Sequence, residues 1–175
     1  MAESFTNALV RAAGFVTSYT ADIGANSSVI SGISTVNLAI GQLVDTPNHI
    51  GGTKITAVGV GQIAVDRSST NSITSNAQTI RFIGLTTAYT STGVKSILVG
   101  GTISNNTNNQ VAATVQVATA STSYNFLYKV PVPAGSSLII SDAGKIVLNS
   151  GDEVRVGCDA QNALDVSLSI LTGVS

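Results

Sequence analysis

The sequence predicts an all-β protein: an antiparallel, jelly-roll-like β-sandwich with a small N-terminal β-hairpin module and an arm. Three observations carry that expectation. Apolar and polar residues alternate at period two through the C-terminal half, which places one set of side chains on each face of a strand. Short turn-forming clusters separate these runs at the spacing of a sandwich or barrel. The composition is poor in residues that build surface helices, with charged residues at 10% of the chain against about 25% in an ordinary soluble domain. Ser, Thr, Asn and Gln supply polarity instead, and Val, Ile and Thr favour pleated strands.

Taken in order, residues 4–13 read as a short helix or an arm, because Phe5, Leu9 and Ala12 or Ala13 lie near one helical face. A helix this short is marginal alone and needs tertiary or intersubunit support. Val29-Ile30 and Ile33 read as strand. Residues 40–75 hold Ile40-Gly41-Gln42-Leu43-Val44, a turn at Pro47-Asn48, the run Gly51 to Val58 with Lys54 in a strand pattern, a Gly59-Val60-Gly61 turn, and the run Ile63 to Arg67. This is the small β-hairpin module. A Ser/Thr/Asn-rich linker or extended loop follows to Gln78.

From about Thr79 onward the strands are clearest. Val111, Ala113, Val115 and Val117 alternate with Thr114 and Gln116. Tyr124, Phe126, Tyr128, Val130 and Val132 share one face opposite Asn125 and Lys129, and Val154, Val156 and Cys158 share another. Leu164, Val166, Leu168 and Ile170 alternate with Asp165, Ser167 and Ser169. One buried and one wet face per strand marks an antiparallel sheet. The polar run Asn105–Gln110, Pro133-Ala134-Gly135 and Asn149-Ser150-Gly151-Asp152 supply turns. The expected division is residues 1–30 as N-terminal arm and first strand, 31–78 as the small β module, and 79–175 as the sandwich. A degenerate echo of Thr17-Ser18-Tyr19-Thr20 in Thr87-Ala88-Tyr89-Thr90 fits related β units and chance equally, since a solenoid needs three or more repeats.

The 175 residues suffice for a core without metal or disulfide staples, because chains of this size bury roughly 68–70% of their unfolded surface. A formal net charge of −1 makes a poor colloid, which suits a surface meant to be covered. Phe5, Val10, Phe15 and Val16 give residues 1–16 more apolar surface than a free tail carries. Those residues are expected to dock on a neighbouring copy or another protein, leaving a sandwich that does not need them. Cys158 is the single cysteine and falls in phase with Val154 and Val156, so it is expected to be a buried core thiol. The N-terminus, with Glu3 and no sustained apolar run, suggests no signal peptide, and no apolar stretch reaches the roughly 20 residues of a membrane span. Basic residues such as Lys54, Arg81 and Lys129 are scattered singly, so neither nucleic acid nor membrane is an expected partner.

Residues with chemical potential do not assemble into a motif. His49 is the only histidine and reads as a turn residue beside Pro47-Asn48. Asp152-Glu153 are adjacent and face opposite ways on a strand, whereas paired acid/base carboxylates must oppose each other across a cleft. Gly51-Gly52, Gly59 and Gly61 lack the lysine and hydroxyl residue that follow the last glycine of a phosphate loop; Lys54 lies in a strand pattern. The acids, Asp142 among them, form no calcium loop. Tyr124 and Tyr128 fall in strand alternation and are expected in the core. The expectation is therefore a protein that is not an enzyme, with no catalytic, cofactor-binding or metal residue and no cofactor.

Two segments resemble a known family. Residues 130–156, VPVPAGSSLIISDAGKIVLNSGDEVRV, resemble the end of small β-sandwich virion proteins of tailed bacteriophages, of marine cyanophage type. Their pattern is PVPAGSSL, a short strand, KIVL and a GD-initiated strand, followed here by Asn162 to Leu171. Residues 40–70 resemble a short module of phage tail and fibre proteins, carried here by Gly41, Val44 and Gly52-Thr53-Lys54-Ile55-Thr56-Ala57-Val58. The resemblance implies a non-enzymatic building block located in the virion and present in several copies. Its implied partners are other virion proteins of capsid, neck or tail, and homo-oligomeric neighbours. The alternative expectation is a tail or fibre module that binds a host receptor or glycan.

Overall fold

The computed structural model describes residues 3–70, 75–140 and 145–174. Among these the chain forms strands and no helix. They are β1 (Ser4–Ala13), β2 (Phe15–Ile23), β3 (Val29–Ser31), β4 (Leu43–Asp45), β5 (Ile55–Val58), β6 (Gln62–Val65), β7 (Ser75–Gly84) and β8 (Thr86–Thr90). There follow β9 (Lys95–Asn105), β10 (Val111–Ala118), β11 (Ser123–Val132), β12 (Ser137–Ile140), β13 (Ile146–Leu148), β14 (Glu153–Cys158) and β15 (Leu164–Val174). The chain divides into two compact units, one of Met1–Phe15 with Leu85–Ser175 and one of Val16–Gly84. The divisions thus fall at 15/16 and 84/85, where the sequence reading set 30/31 and 78/79.

The first unit holds two antiparallel sheets. One has the order β1-β15-β9-β12, with β13 also paired to β9; the other has the order β11-β10-β14-β8. A single core draws on both: Leu98, Ile103, Val166, Leu168 and Ile170 from one, Ala113, Val115, Val154, Val156 and Cys158 from the other. Two sheets that share their inner faces are consistent with a β-sandwich. Period two does the sorting. Leu168 stands between Ala8 and Gly101, and Val166 between Val10 and Ile103, so each inward row crosses the sheet. Gly101 is required there, because a Cβ at that position would lie 2.5 Å from the Ser167 carbonyl oxygen.

Ser4–Ala13 is neither helix nor free arm. It is an edge strand, paired with β15 from Ser4↔Thr172 to Ala13↔Leu164, and it buries Ala13 in the core with Ala8 and Val10 against it. Phe5 and Leu9 are four apart, a spacing that shares one face in a helix and in a strand alike. Periodicity could not separate the two, and the open edge of β15 decided it. The expectation that the sandwich does without residues 1–16 is corrected for the same reason.

The face assigned to β11 is corrected as well. Its register with β10 shifts twice, between Ala113 and Val115 and between Val115 and Gln116. Each bulge adds a residue and reverses the phase of the strand beyond it. Val130 and Val132 keep their places opposite Ala113 and Val111, while Leu127 instead of Phe126 or Tyr128 stands opposite Val115. Tyr124 ends 62% exposed and Phe126 is exposed too.

The second unit is a sheet of order β4-β7-β2-β3-β6-β5 around Ile23, Ile30, Val44, Ile55, Ile63, Ile80 and Phe82. The expected Gly59–Gly61 turn joins β5 to β6, with Gly59 N–H donating to the Gln62 carbonyl at 2.9 Å. Part of the expected linker, Ser75 to Gln78, opens β7. Residues 71–74 of that linker, and 141–144 with Asp142, lie outside the described residues.

Leu168 is fully buried and Ser167 faces the other way. Leu168→Ala should cost the first unit about 2–5 kcal/mol, and Ser167→Ala no more than about 0.5 kcal/mol, in urea unfolding. Equal midpoints for the two variants would refute the face assignment.

Candidate functional site

Carboxylates are the usual material of hydrolytic and metal sites, and here they are occupied one by one in holding backbone. Asp22 Oδ1 accepts from the Ala77 N–H at 3.0 Å, Asp66 Oδ1 from Lys54 N–H at 2.8 Å, and Asp159 Oδ1 from Ala112 N–H at 2.7 Å. Asp152 Oδ2 closes the turn before β14 by accepting from Asn149 N–H at 2.8 Å. Its neighbour Glu153 pairs with Arg155 at 2.7 Å and takes the Thr87 hydroxyl at 3.2 Å, so the two adjacent acids do not converge. Asp165 accepts from Ala12 N–H at 2.9 Å, and this bond first, then the Asn106 side chain, holds its carboxyl below the ordinary value, with Arg11 adding to the effect. Among the described residues no group of three or more His, Cys, Asp or Glu side chains comes together as metal ligands would.

His49 lies in the loop between β4 and β5. The sequence marked it as a turn residue, and the structure buries it, with neither Nδ1 nor Nε2 hydrogen-bonded to any described residue. Its loop is fastened by Thr70 N–H donating to the Asn48 carbonyl at 2.8 Å and by Asn48 Nδ2 donating to Gln78 Oε1. Burial lowers the imidazole pKa from 6.5, opposed by the backbone of Ser27, which lies near the ring without reaching bonding geometry, and by the charge of Asp66. Lys54 bridges to Leu43 at the entry to β5, in a sheet and not at a helix start.

What the fold does assemble is a surface. Residues directly opposite each other in a sheet share a face, so the registers of the five-stranded sheet can be read as rows. Phe5 pairs with Leu171, Leu171 with Ile97, and Ile97 with Val147, giving one apolar row across four strands. Leu9, Ser167, Thr102 and Ile139 form a parallel row, with Asn7, Ser169 and Gly100 between. Both rows face outward: Phe5 is 72%, Leu9 73%, Ile139 69% and Val147 55% exposed. A groove of about 360 Å³ runs at one end of this face, lined by Leu9, Arg11, Thr102, Ser104, Asp165 and Ser167. The sequence gives a hint of the surface, since Ile139 lies between Leu138 and Ile140 and is apolar out of phase. Assembling the row requires the register of strands far apart in the chain.

Tyr124 and Phe126 are a second exposed group, on edge strand β11. No family model, curated protein or solved structure matches this chain.

With a folded-state pKa below 6.5, His49 contributes stability that is fully present above pH 6.5 and is lost as pH falls from there toward the folded pKa. NMR titration of this sole imidazole should give a midpoint below 6.5. The pH dependence of unfolding between about pH 7 and 5 should flatten in His49→Gln. A midpoint at or above the ordinary value would mean that the ring has found water or an acid.

Proposed function

We propose that this chain is a non-enzymatic structural protein of a virus particle. In this reading it decorates and cements a capsid, or sits in the neck or tail, and binds other virion proteins and copies of itself. The observation that carries the reading is the outward apolar row Phe5, Leu171, Ile97 and Val147, joined by Leu9 and Ile139 on a sheet face that otherwise carries Ser, Thr, Asn and Gly, with Asp165 and Arg11 at one end. A face with this much exposed apolar surface and few charges gains free energy when covered and does little to keep a solitary protein dispersed. The formal net charge of −1 acts in the same direction. The resemblance of residues 40–70 and 130–156 to phage virion proteins supplies the kind of assembly.

The strand order supports the finer fold reading, a jelly-roll-like sandwich. With β12 and β13 counted as one position beside β9, the first unit has eight positions: β1, β8, β9, β10, β11, β12/β13, β14 and β15. One sheet then runs first-eighth-third-sixth and the other second-seventh-fourth-fifth. That interleaving is what two Greek keys wound into a jelly roll require. The architecture serves both viral capsid and lectin domains, and fold alone does not choose between them.

The second reading, a receptor- or glycan-binding tail module, is favoured by one observation: Tyr124 presents its ring to solvent beside Phe126, and sugars stack on such rings. Labelled electron microscopy of purified particles separates the two. The structural reading expects label on the capsid, neck or tail of the assembled particle, and absence of the protein from purified particles would overturn it. The second reading expects the protein to be retained on a glycan array and Tyr124→Ala to abolish retention; a wild-type protein that binds no glycan removes it.

A further inference from the structure

We propose that β1 is a self-pairing strand: a second copy of this chain lays its own β1 antiparallel along the free edge, joining the two five-stranded sheets about a twofold axis perpendicular to them. This inference rests on the assembly reading above and assigns it a surface. β1 ends the strand order, so one edge is bonded to β15 and the other has no strand partner among the described residues. Alternate residues of an antiparallel edge strand direct N–H and C=O groups away from the sheet, and only another extended segment satisfies them in series.

The sequence of β1 says which segment. Outward-facing Phe5, Asn7 and Leu9 are flanked by exposed Glu3 and Arg11, and Arg11 lines the groove together with the outward residues Leu9, Asp165 and Ser167. Placed antiparallel on itself about Asn7, the strand sets Glu3 against Arg11 of the second copy, Phe5 against Leu9, and Asn7 against Asn7. Each charge meets its opposite, each large apolar side chain meets another, and the amide meets itself. A twofold pairing demands that opposed residue numbers sum to an even value, because bonded residues must oppose bonded residues. Among even sums only this one opposes Glu3 to Arg11. The same parity keeps both outward faces on one side, so the row from Val147 to Phe5 continues into Leu9 of the second copy. The register with β15 shifts between Val10 and Ala13 and Ala12 takes φ of 56°, so the regular strand ends about Arg11, the last residue of the proposed pairing.

Sedimentation of the full chain should show a dimer. Arg11→Glu sets like charges opposite Glu3 at both ends of the twofold interface and should raise the dimer Kd at least about tenfold, as should Glu3→Arg. The double variant Glu3→Arg/Arg11→Glu should restore it. Asn7→Cys places one thiol on the axis and should oxidise to a covalent dimer, whereas Phe5→Cys, opposite Leu9, should not; native Cys158 is buried and does not interfere. An oligomer indifferent to the charge swaps, or Asn7→Cys cross-linking no better than Phe5→Cys, overturns β1 pairing while leaving the assembly reading standing. A monomer at all concentrations, with Asn7→Cys cross-linking to a different protein in particle preparations, overturns the second copy as the occupant. Absence from particles is a separate result that sinks only the assembly reading.

Discussion

β15 runs antiparallel to β9 from Leu164↔Asn105 to Val174↔Lys95, and that register decides which side chains of the five-stranded sheet meet the core and which meet solvent. A slip by one residue would turn Leu164, Val166, Leu168 and Ile170 outward and bury Asp165, Ser167 and Ser169. β1 takes its register from β15, while β12 and β13 take theirs from β9. The close approach of the two central strands depends on Gly101, whose missing Cβ leaves room for the Ser167 carbonyl. Inner core and outer apolar row are two consequences of one alignment.

A chain with so few charges must satisfy its irregular backbone by other means, and short polar side chains do it. Buried Asn105 donates through Nδ2 to the carbonyls of Asn109, Val132 and Pro133, and its Oδ1 accepts from the Thr107 N–H and hydroxyl. One amide therefore fixes the ends of β9 and β11 and the loop between β9 and β10. Buried Ser91 plays the same part elsewhere, bonded to the Val94 carbonyl at 3.0 Å and the Ser96 hydroxyl at 3.0 Å. Asp22, Asp66, Asp152, Asp159 and Asp165 hold backbone N–H groups in the same way, and charged residues make up only 10% of the chain.

Much of this architecture was legible in the residues. The strict alternation from Leu164 to Ile170 and from Val111 to Val117 encodes half-buried strands directly, and β15 and β10 are found there. Cys158 follows its phase into the core. Legibility failed where a local pattern satisfied two periods or where a bulge intervened. Phe5 and Leu9 fit helix and strand equally, and only the waiting edge of β15 resolves them. Phe126 looks like core in alternation, but the first register shift gives the place opposite Val115 to Leu127, while Tyr124, back in phase opposite Val117 after the second shift, is exposed near the end of the edge strand. The candidate surface was hidden for a further reason: Phe5, Ile97, Val147 and Leu171 come from four separated segments, and no local pattern records which strands lie side by side.

Paired cysteines on the solvent face of β15 and β9 measure the register of these two strands most directly. Thr102 lies directly opposite Ser167, while Ser169 is the diagonal neighbour. Directly opposite positions fall within the Cα separation of a disulfide, roughly 4.4–6.8 Å, and diagonal ones, at about 7–8 Å, exceed it. The double variant Thr102→Cys/Ser167→Cys should therefore close an intramolecular bridge under mild oxidation, and Thr102→Cys/Ser169→Cys should stay reduced. Closure of the diagonal pair with the direct pair left open would place the sheet in a different register and contradict both the core and the outer face described for it.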